Sequence, residues 1–333
     1  MGALATAGPS LALTKYWGKT SGGVNLPATP SLAVTLSELR SVTRVTLRPG
    51  REGDKVTVNG SIESPERFAL LLDELRKRTG FDGAFDAMSV NNFPTAAGLA
   101  SSASGMAALV KACDAALESN LPREELSSIA RLGSGSASRS IFGGFVLLPA
   151  AAPAAEPRFP QDHWPSLRIV AVALHAGEKP ISSRKAMNRT AETSPYFAAW
   201  VADAPKLTDR AMQAVRERDL PALGEVARES YMRMFATMLG SSPPVLYWRP
   251  ESVSLLHYLQ ELREEGLPVW ETMDAGPQVK VLLEEQHLDQ FLSRLPGRLP
   301  DSKATVTSVG GAARTVEAGE LTPNEARLLG VPG

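Results

Sequence analysis

Residues 91–105 read Asn91-Asn92-Phe93-Pro94-Thr95-Ala96-Ala97-Gly98-Leu99-Ala100-Ser101-Ser102-Ala103-Ser104-Gly105, a run of small side chains that leads into a predicted helix. Small residues let a backbone approach a ligand closely, and a helix that begins near Ser102 offers unpaired N–H groups and a positive dipole end. Such a helix start suits an anion, naturally a nucleotide phosphate. It is not a Walker loop, because no Gly-Lys-Ser/Thr follows the glycine. Taken alone, the segment predicts either a phosphate site or a small-residue cap packed against another helix.

The patterns on both sides of this loop predict a mixture of strands and helices. Residues 43–59 alternate polar and apolar side chains around Pro49-Gly50, which predicts a β-hairpin. Ser64 and Gly80 mark the two ends of a helix. Further helices are predicted at about 102–118, 123–132, 195–240, 252–265 and 288–295, a loop at 149–165, and strands at 167–174, 269–273, 279–283 and 304–309. Because strands and helices do not alternate strictly, the pattern favours an α+β fold.

The bulk composition is that of an ordinary globular protein. The 333 residues are 43% hydrophobic and 21% charged, which suits two domains that share an interface. We place these domains at residues 1–180 and 181–333. A net charge of −1 gives no overall attraction to nucleic acid or an anionic membrane, so any bound anion needs local donors. A single cysteine and no run of about 18 apolar residues lead us to expect a cytoplasmic protein with no membrane partner.

Three further segments carry residues suited to anionic ligands. Residues 15–19, Lys-Tyr-Trp-Gly-Lys, place two lysines four apart around an aromatic pair, although surface lysines would look the same. Residues 133–140, Gly-Ser-Gly-Ser-Ala-Ser-Arg-Ser, form a second small-residue loop with one arginine, which suits a carboxylate or is simply a turn. Residues 272–277, Thr-Met-Asp-Ala-Gly-Pro, place Asp274 in a tight turn, where aspartate is common for backbone reasons alone.

Taken in chain order, the segments at residues 15–19, 91–105, 133–140 and 272–277 together resemble the signatures of the diphosphomevalonate decarboxylase family. A fifth segment, Ser-Ser-Arg-Lys-Ala-Met at residues 182–187, is similar to the substrate segment of that family. The resemblance covers about residues 11–280. It implies the two-domain α+β fold of the galactose, homoserine, mevalonate and phosphomevalonate (GHMP) kinases, with an N-terminal domain like ribosomal protein S5 and a ferredoxin-like C-terminal domain.

The resemblance also implies a reaction. Members of the family use ATP and magnesium to phosphorylate the tertiary 3-hydroxyl of mevalonate 5-diphosphate, and then release phosphate and carbon dioxide to give isopentenyl diphosphate. By this resemblance, Asp274 is the base or orienting group for the hydroxyl, Arg139 holds the substrate carboxylate, and Lys15 neutralises charge on the transferring phosphoryl group. Loss of any one of the three is expected to cost about 100-fold or more in rate.

Binding residues carry over in the same way. The resemblance assigns the 5-diphosphate and the rest of the substrate to Tyr16, Lys19, Ser134, Gly135, Ser136, Ser183, Arg184 and Met187. It assigns the ATP phosphates to Pro94, Ala96, Ala97, Gly98, Leu99, Ala100, Ser101, Ser102 and Ala103. Ser101 or Ser102 is the expected magnesium ligand. The resemblance further implies a homodimer, and no nucleic-acid partner is expected.

Two departures from the family pattern bear on substrate choice. The usual Pro-x-Asn-Ser-Ser stands here as Pro-Ala-Thr-Pro-Ser at residues 27–31, and the asparagine after Asp-Ala-Gly-Pro is Gln278. Neither departure replaces Lys15, Arg139 or Asp274. The alternatives of the same fold are a mevalonate 5-phosphate decarboxylase and a mevalonate 3-kinase. A non-catalytic sensor of ATP or substrate is disfavoured, because Lys15, Arg139 and Asp274 are all present.

Overall fold

The computed structural model describes residues 2–50, 53–93, 101–174 and 181–332, without the side chain of Ser101. The strands, numbered in chain order, are β1 (Gly2–Ala7), β2 (Ser10–Ala12), β3 (Ser31–Thr35), β4 (Ser41–Pro49), β5 (Lys55–Val58), β6 (Ser61–Ile62), β7 (Gly83–Asn91), β8 (Phe145–Leu148), β9 (Glu156–Phe159), β10 (Leu167–Ala173), β11 (Trp270–Thr272), β12 (Val279–Glu284), β13 (Lys303–Thr307) and β14 (Arg314–Thr315). The helices are α1 (Ala69–Thr79), α2 (Ser101–Ala116), α3 (Arg123–Gly133), α4 (Ala137–Ser140), α5 (Ser183–Thr193), α6 (Phe197–Glu217), α7 (Leu220–Leu239), α8 (Pro250–Glu264), α9 (Leu288–Arg298) and α10 (Pro323–Leu329). The predicted α+β class is confirmed.

Three sheets organise these elements. Their strand orders are β14-β1-β4-β7-β5-β6, β2-β3-β8-β9 and β11-β12-β10-β13. The helices α1 to α4 cover the first sheet around a core that includes Phe85 and Cys113. The third sheet packs against α7 and α8, whereas α6 packs on α7 and on β3 of the second sheet. Within the ranges described, none of the helices combines the length and apolar character that crossing a bilayer requires.

The predicted hairpin at residues 43–59 is wrong. β4 and β5 belong to one sheet, but β7 lies between them and pairs antiparallel with β4 along its whole length and parallel with β5. β4 pairs with β7 and not with β5 because the inward face of β7 carries the fully buried Phe85 and Ala87. This face gives β4 more apolar contact than the short β5 offers. The predicted loop at 149–165 also contains β9, a short strand at the edge of the second sheet.

Both ends of the chain contribute to the first sheet. β14 pairs with β1, and the following α10 packs on β4 and β7. The guanidinium of Arg40 donates to both carboxylate oxygens of the buried Glu325, at 2.9 and 2.6 Å, which fixes α10 to the sheet. The C-terminal residues therefore return to the unit in which the chain begins.

The two halves of the chain share one core. Leu13 and Trp17, from the segment after β2, lie in the same buried cluster as Val281 of the third sheet and Tyr231 of α7. The predicted division after residue 180 stays a prediction. The strand pairing crosses this division twice. β10, which precedes residue 180, belongs to the third sheet, and β14, which follows it, belongs to the first.

A close helix–sheet contact allows a stability test of this shared core. Gly224 of α7 lies against Trp270 of β11, and a Cβ added at Gly224 would lie 2.0 Å from Cγ of that indole. We expect Gly224→Ala to lower the free energy of unfolding by about 1–3 kcal/mol, because the ring must move out of its packed position. Urea denaturation measures the change. The control is Gly297→Ala in α9, where the added Cβ meets nothing within 4 Å and no loss is expected. Equal stability of the two variants would contradict this packing.

Candidate active site

One carboxylate lies between two buried lysines where the two halves of the chain meet. Asp274 follows β11, and its Oδ1 is 3.3 Å from Nζ of Lys15. Its Oδ2 is 3.3 Å from Nζ of Lys280, which lies in β12. The Lys15 and Lys280 side chains are 2% and 1% exposed, whereas that of Asp274 is 27% exposed. The Asp274 carboxylate is therefore partly accessible to solvent, while each of its oxygens contacts an ammonium group.

Elements from both halves fix the position of Lys15. Its ammonium donates to the carbonyl of Ala12 at 2.6 Å, and its backbone N–H donates to Oγ of Ser230 on α7 at 2.9 Å. The buried hydroxyl of Thr29 donates to the Lys15 carbonyl at 3.2 Å. Burial lowers the pKa of Lys15 to about 8, and the charge of Asp274 opposes that fall. The ammonium is therefore charged at neutral pH and titrates just above it.

Arg139 is buried close to this group. It lies on the short helix α4, and its Nε donates to Oγ of Ser10 at 3.2 Å while Nη1 donates to Oγ of Ser31. Burial lowers the pKa of Arg139 to about 10, and the charge of Asp274 opposes the fall. The structure thus brings Lys15, Arg139 and Asp274 together, as the sequence predicts, although their catalytic roles stay a prediction.

A second polar group surrounds Tyr16 and Lys19. The Lys19 ammonium donates to Oδ1 of Asn25 at 2.6 Å, and the Tyr16 hydroxyl donates to the Asn25 carbonyl at 3.3 Å. Burial raises the pKa of Tyr16 to about 12. The pKa of Lys19 falls to about 8 because of its burial and the nearby charge of Arg184. Asn25 is buried with φ of 55° and donates its amide to the carbonyls of residues 131 and 132.

The loop from Ser134 to Ser136 packs directly on this tyrosine. A Cβ at Gly135 would lie 2.3 Å from the Tyr16 hydroxyl, so only glycine allows this approach. Oγ of Ser134 and Oγ of Ser136 are 3.2 Å apart, and both side chains are half-buried. Close packing against Tyr16 therefore explains Gly135, and the hydroxyls of the two flanking serines suit a bound anion.

The remaining predicted substrate residues lie on α5. Ser183 is half-buried and Arg184 is exposed, whereas Met187 is buried in the core shared by the two halves. The hydroxyl of Ser182 caps the helix by accepting from the backbone N–H of Lys185. Contact of these side chains with a substrate stays a prediction.

The predicted ATP loop is described only at its end. Pro94, Ala96, Ala97, Gly98, Leu99 and Ala100 lie outside the described residues. Ser101 begins α2, as the sequence predicts to within one residue, Ser102 is half-buried, and Ala103 is buried. Beside the start of α2 lies a cleft with a mixed lining. Its apolar residues are Val56, Val58, Ala87, Met106 and Leu109, and its polar and charged residues are Thr43, Glu63, Arg67, Ser89, Asn91 and Ser102. A hydrogen-bond chain from Ser104 through Ser41 to Asn91 ties α2 to the end of β7.

Sequence reasoning missed several polar groups at these sites. The sequence does carry a signal for Lys280. A lysine inside the apolar run Val-Lys-Val-Leu-Leu predicts a nearby counter-charge, because a buried lysine needs a partner. Ser10, Asn25 and Ser31 gave none, because their contacts join segments far apart in the chain.

The two departures from the family pattern have structural partners. Thr29 donates to the Lys15 carbonyl and accepts from the backbone N–H of Trp17 at 3.5 Å. The buried Gln278 accepts, through Oε1, from the backbone N–H of Leu174 at 2.6 Å. Both side chains therefore make scaffold contacts within this chain.

Two family models match the chain and together span most of it. One is described as the diphosphomevalonate decarboxylase-like N-terminal domain and matches residues 7–154. The other is described as the mevalonate 5-diphosphate decarboxylase C-terminal domain and matches residues 169–327.

Known proteins resemble the chain over nearly its whole length. A diphosphomevalonate decarboxylase from Candida albicans is 35% identical and covers 94% of this chain and 94% of its own length. The mevalonate diphosphate decarboxylase structure from Staphylococcus aureus is 35% identical, covers 95% of this chain and 98% of its own, and has a TM-score of 0.89. A structure described as MDDEF in complex with MVAPP, AMPPCP and magnesium is 36% identical, covers 95% of this chain and 99% of its own, and has a TM-score of 0.88. The predicted two-domain GHMP-kinase-type fold is confirmed.

The shared carboxylate predicts a pH-dependent effect on stability. We expect Asp274→Asn to lower the free energy of unfolding at pH 7 by about 1–3 kcal/mol, because it leaves buried ammonium groups without their counter-charge while Asp274 itself is partly solvated. The loss should shrink at pH 9, since Lys15, with a pKa of about 8, is then mostly neutral in the folded protein. Urea denaturation at both pH values measures this, with the exposed Asp209→Asn as control. A variant as stable as the parent at pH 7 would contradict the charge balance described.

Proposed function

The chain belongs to the diphosphomevalonate decarboxylase family, and from that membership we propose that it converts mevalonate 5-diphosphate and ATP into isopentenyl diphosphate, ADP, phosphate and carbon dioxide. The observation that carries the proposal is the meeting of Lys15, Asp274 and the buried Arg139 where the two halves of the chain join. An ionised carboxylate next to cations suits a reaction that activates a hydroxyl and stabilises a phosphoryl group and a carboxylate.

The chemistry explains why these residue types are needed. The tertiary hydroxyl loses its proton toward Asp274 while its oxygen bonds to the γ-phosphorus of ATP, and the bond from that phosphorus to ADP breaks. The new phosphate ester then leaves C3 with the electron pair of the C–O bond. The electrons of the bond between C1 and C2 form the double bond between C2 and C3, and C1 departs as carbon dioxide. The hydroxyl alone is a poor leaving group, so phosphorylation comes first.

The side chains around Asp274 support separate roles in these steps. Lys15 is positioned to offset charge on the transferring phosphoryl group, as electrostatic catalysis requires. Arg139, held by Ser10 and Ser31, offers a planar fork that suits the substrate carboxylate. Its burial excludes water, which strengthens any contact with an anion. The roles of all three residues are part of the proposal.

The group around Tyr16 is the proposed site for the 5-diphosphate. Lys19 and Arg184 are close enough for their charges to interact, and the hydroxyls of Ser134 and Ser136 lie by the same tyrosine. Positive charge and hydroxyl donors together suit a diphosphate. Ser183 and Met187 complete the proposed substrate residues.

The start of α2 and the cleft beside it fit ATP. The five apolar residues of the cleft suit contact with a purine ring, its polar residues suit the ring nitrogens, and a helix N-terminus suits phosphate. A related structure is described as holding AMPPCP and magnesium. Within the described residues, no group of three or more His, Cys, Asp or Glu side chains is arranged for a metal. By the family resemblance, magnesium would be held by the ATP phosphates with the hydroxyl of Ser101 or Ser102, and it would neutralise phosphate charge.

Two further expectations belong to the proposal. A homodimer is proposed from the family resemblance, and a cytoplasmic location from the single cysteine, Cys113, which is buried and free.

A product assay tests the reaction. With ATP, magnesium and mevalonate 5-diphosphate, we expect equal amounts of ADP and carbon dioxide, and much less of both from mevalonate 5-phosphate. Asp274→Ala is the control, and it should lower both products by about 100-fold or more because the hydroxyl is no longer oriented or deprotonated. ADP without carbon dioxide would identify a 3-kinase, and preference for the monophosphate would identify a monophosphate decarboxylase. Binding of ATP or substrate without turnover would identify a sensor.

Lys19 predicts a pH-dependent substrate affinity. We expect Lys19→Met to raise the KM for the diphosphate by about 10- to 100-fold at pH 7, the loss of one charge-assisted hydrogen bond, with a smaller change in kcat. Because the pKa of Lys19 is about 8, the KM of the parent protein should rise above that pH and approach the variant value. Steady-state kinetics between pH 7 and 9.5 measure both effects, with the exposed Lys206→Met as control. A loss in kcat at unchanged KM would place Lys19 in another role.

A further inference from the structure

Lys280 occupies a position where a charged side chain is costly. It is the second residue of β12, a central strand of the third sheet in which Val279, Val281 and Leu282 are also buried. The side chain of Lys280 is 1% exposed. Removing an ammonium group from water carries a large free-energy cost unless a counter-charge lies beside it. A lysine kept at such a place needs a partner, and the partner indicates its purpose.

The counter-charge is the proposed catalytic carboxylate. Nζ of Lys280 lies 3.3 Å from Oδ2 of Asp274, while Lys15 takes Oδ1 at the same distance. The two lysines come from different halves of the chain. Each oxygen of Asp274 therefore contacts a different ammonium group, and rotation of the carboxylate would weaken both contacts.

We propose that Lys280 is a positioning residue of the active site, which together with Lys15 fixes the orientation of the Asp274 carboxylate toward the substrate hydroxyl. This inference rests on the proposed function, because it gives Lys280 a part in the same reaction. Lys280 lies six positions after Asp274, and the sheet holds the lysine rigidly, in register with Thr272 of β11 and Ala171 of β10. The loop that carries Asp274 is thereby tied to the strand that follows it.

Lys280 also acts electrostatically on Lys15. The charged groups that act on Lys15 are Asp274 after β11, Lys280 of β12 and Arg139 of α4. The charge of Lys280 lowers the pKa of Lys15, and that of Asp274 raises it. Removal of the Lys280 charge should therefore raise the pKa of Lys15 above about 8. A lysine that served only to fill the sheet would leave the catalytic pH profile where it is.

The test compares Lys280→Met, which keeps the length but not the charge, with Lys280→Arg, which keeps the charge. Lys280→Met should lower kcat by about 10- to 100-fold through misplacement of Asp274, with the KM values for ATP and the diphosphate changed less than about threefold. The basic limb of the kcat profile, recorded with saturating diphosphate so that the titration of Lys19 does not contribute, should move to higher pH. Lys280→Arg should retain that limb and recover part of kcat. The matched control is Lys303→Met on β13 of the same sheet, an exposed lysine whose loss should change nothing.

A folded Lys280→Met protein with kcat within about twofold of the parent and an unmoved basic limb would overturn the inference. If this variant does not fold, Asp274→Asn and Asp274→Asn/Lys280→Met replace it. The double variant has one fewer unpaired buried charge than Asp274→Asn, so it should fold at least as well. Since Lys280 acts through Asp274, the second substitution should cost less than about threefold in rate, and a further tenfold loss would contradict the proposal.

A measurement without turnover separates this inference from the proposed function. The pKa of Lys15, followed by NMR in protein labelled with carbon-13 lysine, should rise in Lys280→Met and stay unchanged in Lys303→Met. An unchanged pKa in Lys280→Met overturns the inference even if the enzyme is active. A raised pKa in a protein that makes neither ADP nor carbon dioxide leaves the charge arrangement standing and overturns the proposed function alone.

Discussion

The arrangement of the molecule depends on one carboxylate that neutralises buried lysines from both halves of the chain. Lys15 follows β2 and Lys280 lies in β12, and neither ammonium group is solvated. A buried ammonium without a counter-charge would be strongly unfavourable, so the halves must meet where Asp274 serves both. The proposed catalytic position is therefore also a point of assembly. The shared apolar core around Trp17 and Tyr231 stabilises the same junction without fixing its register as closely.

The sequence predicted the elements and motifs well, because they depend on local patterns. The helix before Gly80, which has φ of 73°, and the strand that contains Val281 follow from capping and periodicity. The hairpin prediction failed because a strand more than 30 residues later competes for the same edge, and local alternation carries no information about that competition. Asn25 and Ser31 were missed for the same reason: each acts through contacts with residues about 100 positions away.

The departures from the family motifs show how a site can keep its reaction while its sequence changes. Thr29 stands where the family has asparagine, yet its hydroxyl binds the backbone of the segment that carries Lys15. Gln278 reaches the backbone at Leu174, beyond the end of β10. Both side chains therefore contact the backbone of the scaffold. Thr29 supports the segment that carries Lys15, whereas Arg139 has its own supports at Ser10 and Ser31.

The lowered pKa values of the cations have one physical cause, and it bears on how the site works. Burial lowers the pKa of Lys15 and Lys19 to about 8 and that of Arg139 to about 10, so the folded protein holds these charges at a cost in stability. The proposed substrates bring a carboxylate, a diphosphate and the ATP phosphates. Their binding would supply the missing negative charge, which stabilises the folded state and keeps Lys15 and Lys19 protonated. A protein with a net charge of −1 can thus attract highly anionic ligands, because its positive charge is concentrated where water is excluded.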